Sequence, residues 1–310
     1  MINTHHISQI NQMDSHLSNW LAGKQAGEQI GKVHSVFKRV VNFITHDGTF
    51  LFSIAKSDVI QSPRMMKTSD NQGFIRMYST LQPGNLVCLI ENKQLKVNNW
   101  QLDFSNARMW NGDIDKLNKN KPKITMSHLS LINNFIYKNG ETRGIFSAWK
   151  SFNDPSWNVP EEVRKDLYYA HFLTGLELLE QEVKDIKLER FIGRFVGAGV
   201  GLTPSGDDFL TGLLAAWQYF DFSLYKDFAI HPDALMKKIY GRTTDVSYFM
   251  LKHCIEGEVN QVILDIMENL DGCPVHHLQE ALKIGSTSGT DMLIGLSVGY
   301  QQLVNYKEEK

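Results

Sequence analysis

The sequence lacks most features that mark a secreted, membrane or redox protein. Only three of its 310 residues are cysteine, Cys88, Cys254 and Cys273, far apart and with no C-x-x-C pair. That spacing argues against a disulfide framework and a zinc ribbon, and favours a reducing, cytoplasmic setting. No apolar run approaches the ~20 residues that span a bilayer. The nearest, Phe209–Trp217, is short and begins beside two carboxylates. The N-terminal stretch has no basic region followed by an apolar core, so it does not read as a secretory signal. An excess of one charge is missing too. The 32 Lys and Arg against 34 Asp and Glu leave a net charge of −2, which gives no footprint for nucleic acid or a membrane surface. There is no Walker A loop, no H-E-x-x-H, no Ser-His-Asp arrangement and no low-complexity tract.

What the chain does contain is concentrated in Gly197–Phe220, GAGVGLTPSGDDFLTGLLAAWQYF. Gly197, Gly199 and Gly201 lead into Thr203, Pro204, Ser205, Gly206, Asp207 and Asp208, and then into an apolar helix. A glycine-rich turn exposes backbone N–H groups and lets a ligand approach closely. Two carboxylates at a helix start can hold a metal, orient a base or cap the helix. The plain alternative is a capping box, Ser205-x-x-Asp208, with Thr203 or Ser205 as the cap and Pro204 beside it. Capping alone requires neither the three glycines nor the second Asp. The glycines do not follow G-x-G-x-x-G and open no βαβ unit, which argues against a nicotinamide cofactor.

The closing helix repeats the central one. Ser205-Gly206-Asp207-Asp208-Phe209-Leu210-Thr211-Gly212-Leu213 aligns without a gap with Ser288-Gly289-Thr290-Asp291-Met292-Leu293-Ile294-Gly295-Leu296, and Ala216 then matches Gly299. Each helix has a stripe of small residues that permits close packing. Two such helices side by side, starts together, would aim two dipoles at one small anion. Arg242-Thr243-Thr244 adds a guanidinium able to grip a carboxylate or phosphate, and two hydroxyls. His253 and Cys254 are adjacent on a predicted helix and point apart, a poor nucleophile–base pair.

The rest of the chain reads as an α+β protein: a small β-rich N-terminal domain, residues 1–158, with a leading helix, and a helical domain, 159–310, carrying the pseudo-repeat. The alternative is one continuous domain with its sheet packed on the helices. Ile7, Ile10, Met13, Leu17, Trp20 and Leu21 recur at helical spacing. Val33–Ile44, Phe50–Ile54, Gly73–Tyr78, Leu86–Ile90 and Leu95–Asn98 read as strands of a small sheet or partly open barrel, with Asp47-Gly48 as a hairpin turn and Glu91–Gln94 as another. Asn111–Lys123, with four lysines, reads as a solvated connection. Met126–Tyr137 reads as a helix and Ser151–Pro160 as a linker. After it, Glu161–Val183, Leu188–Val196, Ser205–Phe220, His231–Ile239, Thr243–Ile255, Val259–Asn269, His276–Ile284 and Ser288–Tyr306 read as helices of an antiparallel bundle. The adjacent His5 and His6 lack companion ligands and read as surface.

The GLTPSGDDFLTGLL stretch resembles the signature of the AllH-like family, long catalogued as a bacterial domain of unknown function. The resemblance is closest over Gly197–Leu214 and extends from about Pro160 to the C-terminus through Arg242-Thr243-Thr244 and Ser288-Gly289-Thr290-Asp291. The N-terminal half carries little family signal, and Val200 stands where the family pattern has proline. The resemblance implies a subunit of an oxamate carbamoyltransferase-type enzyme of allantoin breakdown, moving a carbamoyl group between phosphate and the amide nitrogen of oxamate. It implies partner subunits and a small anionic substrate. On this reading Asp207 and Asp208 are the catalytic candidates. Gly199, Gly201, Thr203, Ser205, Gly206, Arg242, Thr243, Thr244, Ser288, Gly289, Thr290 and Asp291 are the binding candidates. No cofactor is required. If Mg²⁺ is used, Asp207, Asp208 and Asp291 would hold it, and a Mg²⁺-dependent hydrolase or transferase is one alternative. A non-catalytic anion-binding scaffold is the other.

Overall fold

The computed structural model describes residues 6–91, 93–117, 121–181, 188–222 and 232–308. Readings that touch His5, Asn92, Lys119, Val183 and His231 lie, at those positions, outside the described residues. Contacts divide the chain into two compact units, Met1–Gly112 and Asp113–Lys310.

The first unit is a closed β-barrel. Its strands are β1 His6–Asp14, β2 Gln29–Val36, β3 Val40–Ile44, β4 Leu51–Lys56, β5 Met65–Thr68, β6 Leu86–Leu89, β7 Gln94–Val97, β8 Trp100–Asp103 and β9 Arg108–Trp110. The order β5-β4-β3-β2-β6-β7-β8-β1 closes because β1 also pairs with β5. Strand β9 lies parallel to the second half of β1, beyond the stretch that pairs with β8. Closure removes the free sheet edges that an open barrel would leave. Alternation fills the interior, as in β7 and β8, where Leu95, Val97, Trp100 and Leu102 are buried.

Three sequence expectations change here. Residues 6–14 are a strand, not the start of a helix, and only Ser15–Ala22 (α1) is helical. A register shift between Ile10 and Gln12 puts Ile10 and Met13 both inside, which imitates helical spacing. Val33–Ile44 is two strands, β2 and β3, joined across Phe37–Arg39. Gly73–Tyr78 lies in helix α2, Asn71–Thr80. Asp70 caps that helix by accepting the Gly73 N–H at 2.7 Å, and Phe74 and Met77 are its buried face. Asp14 ties the end of β1 to α1 and to Arg64, just before β5. Its Oδ2 accepts from the Leu17 N–H at 3.3 Å, the Arg64 N–H at 2.9 Å and Arg64 Nη1 at 3.1 Å.

The second unit is helical: α3 Met126–Asn139, α4 Phe146–Asn153, α5 Glu161–Arg164, α6 Leu167–Gln181, α7 Leu188–Phe195, α8 Ser205–Tyr219, α9 Pro232–Ile239, α10 Asp245–Ile255, α11 Gln261–Glu268, α12 Val275–Ala281 and α13 Ser288–Glu308. Among the described residues no helix is long and apolar enough to cross a membrane. The expected helix Glu161–Val183 is broken between Arg164 and Leu167. The segment read as solvated connection holds a short 3-10 turn, Ile114–Lys116, whose Ile114 is buried. Helices α3 and α4, which sequence reading grouped with the N-terminal half, belong to this unit. Helix α8 is its axle: Phe209, Leu210, Leu213, Leu214 and Trp217 are all buried, and so are Leu293, Ile294, Leu296 and Tyr300 of α13.

Candidate functional site

The two S-G-x-D helices pack backbone against backbone. A Cβ built at Gly212 would lie 2.0 Å from the Met292 carbonyl oxygen, and one at Gly295 would lie 2.0 Å from that of Phe209. Phe209 and Met292 are themselves equivalent in the repeat, so the contact is reciprocal. Gly299 stands against Ala216, and the Thr203 and Ser288 hydroxyls share a hydrogen bond of 3.1 Å. Equivalent positions thus face each other from the starts onward, so α8 and α13 run parallel about a pseudo-twofold axis, starts together. The preceding turns match as well. Gly206 sits over the Phe195 carbonyl that ends α7, and Gly289 over the Ala281 carbonyl that ends α12. No side chain larger than hydrogen fits at either place.

Asp208 and Asp291 meet at these joined starts, and both are fully buried. Among the described residues Asp208 has no hydrogen-bond partner on either oxygen. Burial first, and then the Asp291 carboxylate, push its pKa well above the usual carboxylate range. The hydroxyls of Ser288 and Thr203 lie near enough to temper that rise, and only one of their two hydrogens is used in the bond between them. Asp291 Oδ1 accepts the Ile145 N–H at 2.9 Å, while its Oδ2 has no partner. Burial raises its pKa to about 7, against the Ile145 N–H and the Ser205 and Thr287 hydroxyls. Among the described residues no Lys, Arg or His is one of the groups that act on either carboxylate.

Asp207, one residue away, is differently engaged. Its Oδ1 accepts the Gly197 N–H at 2.9 Å and its Oδ2 accepts the Thr243 hydroxyl. Burial still raises its pKa, partly countered by these bonds. It therefore ties the glycine turn to the Arg242–Thr244 segment. Thr244 caps α10 through the Ser247 N–H and donates its hydroxyl to the Leu202 carbonyl. Arg242 is exposed and donates from Nη2 to the Gly193 carbonyl at 2.7 Å. The turn itself runs through φ values of +72° at Gly197, +121° at Gly199 and +105° at Gly201. Gly199 also leaves the room that Ser205 N occupies, 2.6 Å from where a Cβ would be.

The plain capping account fails for α8. Its cap position is Pro204, no side chain caps it, and Ser205 is already helical. The first-turn N–H groups of Gly206, Asp207 and Asp208 donate to the carbonyls of Ala198 and Pro204, and those of Gly289 and Asp291 to Ile284 and Thr287. Thr290 is buried and accepts the Glu141 N–H at 2.9 Å. Gly144 and Ile145 went unnoticed in the sequence. Gly144 has φ +68°, and a Cβ there would meet Asp291 Oδ1 at 2.5 Å. Nothing in its sequence neighbourhood signals that role.

Two other places gather polar groups or open a cavity. His253, Glu256 and Glu258 bring an imidazole and two carboxylates within 4.8 Å of one another, but each has further interactions. A cavity of about 510 Å³ lined by Ile114, Lys121, Gln218, Tyr219 and Asp221 opens at the far end of α8, roughly 16 Å along the helix from Asp208 at 1.5 Å per residue. Cys254 is buried, donates to the Thr211 carbonyl and has its thiol pKa pushed up to about 12, so it is inert.

No solved structure matches the chain significantly. Residues 195–300, which span the glycine turn, α8 and most of α13, match the family described as oxamate carbamoyltransferase subunit AllH. Residues 8–109, the barrel, match the AllH family N-terminal domain. With both its barrel and its paired-helix core matched, the chain belongs to the AllH family of oxamate carbamoyltransferase subunits.

Proposed function

We propose that the joined starts of α8 and α13, under the glycine turn, are this subunit's contribution to carbamoyl transfer. The observation that carries this is Asp208: a carboxylate with no exposure and no hydrogen-bond partner, facing a second buried carboxylate. Leaving a buried carboxylate unpaired is unfavourable for folding, so its retention favours a role in binding or chemistry. In the transfer, the oxamate amide nitrogen bonds to the carbamoyl carbon, the carbon–oxygen bond to phosphate breaks, and the amide proton leaves. Asp208 is the group to orient or accept that proton. The aligned dipoles of two parallel helices and the hydroxyls of Thr203, Ser205 and Ser288 stabilise the developing oxyanion. Asp207 acts as the clamp that sets the turn. The chain works with partner subunits in the cytoplasm, in purine nitrogen catabolism.

Asp208→Asn in the assembled enzyme tests this, by transfer from carbamoyl phosphate to oxamate. Loss of a positioned acid–base group predicts a fall in kcat of roughly 10²-fold or more with cooperative unfolding retained. Unchanged turnover would return the site to a purely structural role. The isolated chain is expected to be inactive, and robust turnover without partners would refute the shared-site reading.

A further inference from the structure

We propose that Asp208 and Asp291 together bind a hard divalent cation of the Mg²⁺ class, and that this cation receives the phosphate of the substrate. The inference deepens the function proposed above and rests on it.

Three observations carry it. Asp208 has two buried oxygens without partners and Asp291 has one, so three of the four oxygens in this pair are free acceptors. Sharing one proton would join two of these oxygens and leave the third bare, whereas a cation satisfies several at once. The donors around them are oxygens of the kind Mg²⁺ takes. The hydroxyls of Thr203 and Ser288 sit by Asp208, and that of Ser205 by Asp291. Among the described residues no side-chain cation acts on the pair. Mg²⁺ is commonly held by one or two carboxylates plus substrate phosphates, which also removes a difficulty of the site. Two carboxylates would repel an anionic substrate directly, but a cation between them attracts it.

The intact chain, stripped with a chelator, is titrated with MgCl₂ and followed by thermal unfolding, and separately with MnCl₂ followed by broadening of amide resonances. Wild type is expected to gain stability at millimolar Mg²⁺. Mn²⁺ is expected to broaden residues 203–208 and 288–291 first. Asp208→Asn and Asp291→Asn should weaken the response roughly tenfold or more, while Asp233→Asn, exposed on α9, should leave it unchanged. No response to either ion, an undiminished response in both variants, or broadening centred on His253, Glu256 and Glu258 would overturn the proposal. If a variant does not fold, the wild-type broadening pattern decides alone. Loss of turnover in Asp208→Asn with no cation bound by wild type would sink the cation and keep the catalytic site. Cation binding at this pair with unchanged turnover in Asp208→Asn would do the reverse.

Discussion

Replacing Gly212 by alanine tests the helix pairing on which the site depends. In an exposed helix this change stabilises by about 1 kcal/mol, because glycine loses more backbone entropy on folding. Here the added methyl would sit 2.0 Å from the Met292 carbonyl oxygen and 2.9 Å from the Leu296 amide nitrogen. Ordinary contact begins at 3.4 Å, so the helices must part by more than about 1 Å. The obstacle is backbone, which cannot rotate aside. A gap of that size forfeits a quarter to a half of each van der Waals contact it opens. The contacts along this seam involve Phe209, Leu213, Ala216, Met292 and Leu296, all buried. Overpacking typically costs 1–3 kcal/mol and occasionally more. With rigid groups on both sides the upper end applies, leaving a net loss of roughly 2 kcal/mol after the propensity gain. Because the chain has two units, one melting temperature is a poor readout. Hydrogen exchange of the Ser205–Tyr219 amides reports this unit directly, and 2 kcal/mol corresponds to roughly thirty-fold faster opening. Gly295→Ala should behave alike, and the double variant should cost less than the sum, since one separation relieves both clashes. Gly23→Ala, whose Cβ would lie 3.5 Å from the Trp20 carbonyl oxygen, is the near-neutral control. Exchange in Gly212→Ala as slow as in wild type would refute the reciprocal packing and, with it, the meeting of Asp208 and Asp291.

Asp14→Ala should destabilise the barrel by roughly 3–5 kcal/mol, measured by urea unfolding, because it removes the carboxylate that buried Arg64 bonds and uncaps α1; a loss under about 1 kcal/mol would reduce the pair to surface strength. Asp207→Asn should loosen the turn, raising proteolytic nicking near residues 199–202 and lowering activity less than Asp208→Asn does; equal effects would erase the distinction between clamp and chemistry. In chelator-treated protein the raised pKa of Asp291 predicts a pH effect of definite sign. The folded state holds this proton more tightly than the unfolded state, so its stabilising contribution is complete below about pH 4 and is lost as pH rises through about 7. Asp291→Asn should therefore gain on wild type across that window, by roughly 4 kcal/mol at most; parallel stability–pH curves would show that burial does not act on this carboxyl as described.

Much of the site was legible in the sequence because its cause is local. The S-G-x-D repeat, the small-residue stripes and the double Asp are visible as spacing, and parallel packing turns that spacing into a meeting of side chains. Asp47-Gly48 likewise forms the turn between β3 and β4. What stayed hidden depends on distant partners. The first strand reads as helix because its bulge disturbs the period of two, and its pairing with β5, β8 and β9 spans much of the barrel sequence. Gly73–Tyr78 looks like a strand until Asp70 is recognised as a cap. Asp207 and Asp208 are the same residue type, so composition cannot divide their roles. They differ by about 100° around the helix, and only the fold shows that one faces the glycine turn and the other the axis.

That axis explains why the carboxylates are paired at all. When two copies of a motif pack in parallel about a twofold, a residue facing the partner helix meets its own equivalent. A first-turn Asp on that face must therefore meet an Asp, whatever the electrostatic cost. Symmetry would give both the same environment, yet they are not alike. Asp291 receives an N–H from Ile145, beside the left-handed Gly144, while Asp208 receives nothing. The turn before α8 is also the one that carries Gly197, Gly199 and Gly201 with positive φ and the exposed Val200. The differences between the halves thus fall on one side: the α13 half is fastened by α3 and α4 neighbours, and the α8 half keeps an open-topped turn and an unsatisfied acid. An unsatisfied acid on the side of the more exposed turn is what the proposed exchange of a proton, a cation or a substrate calls for.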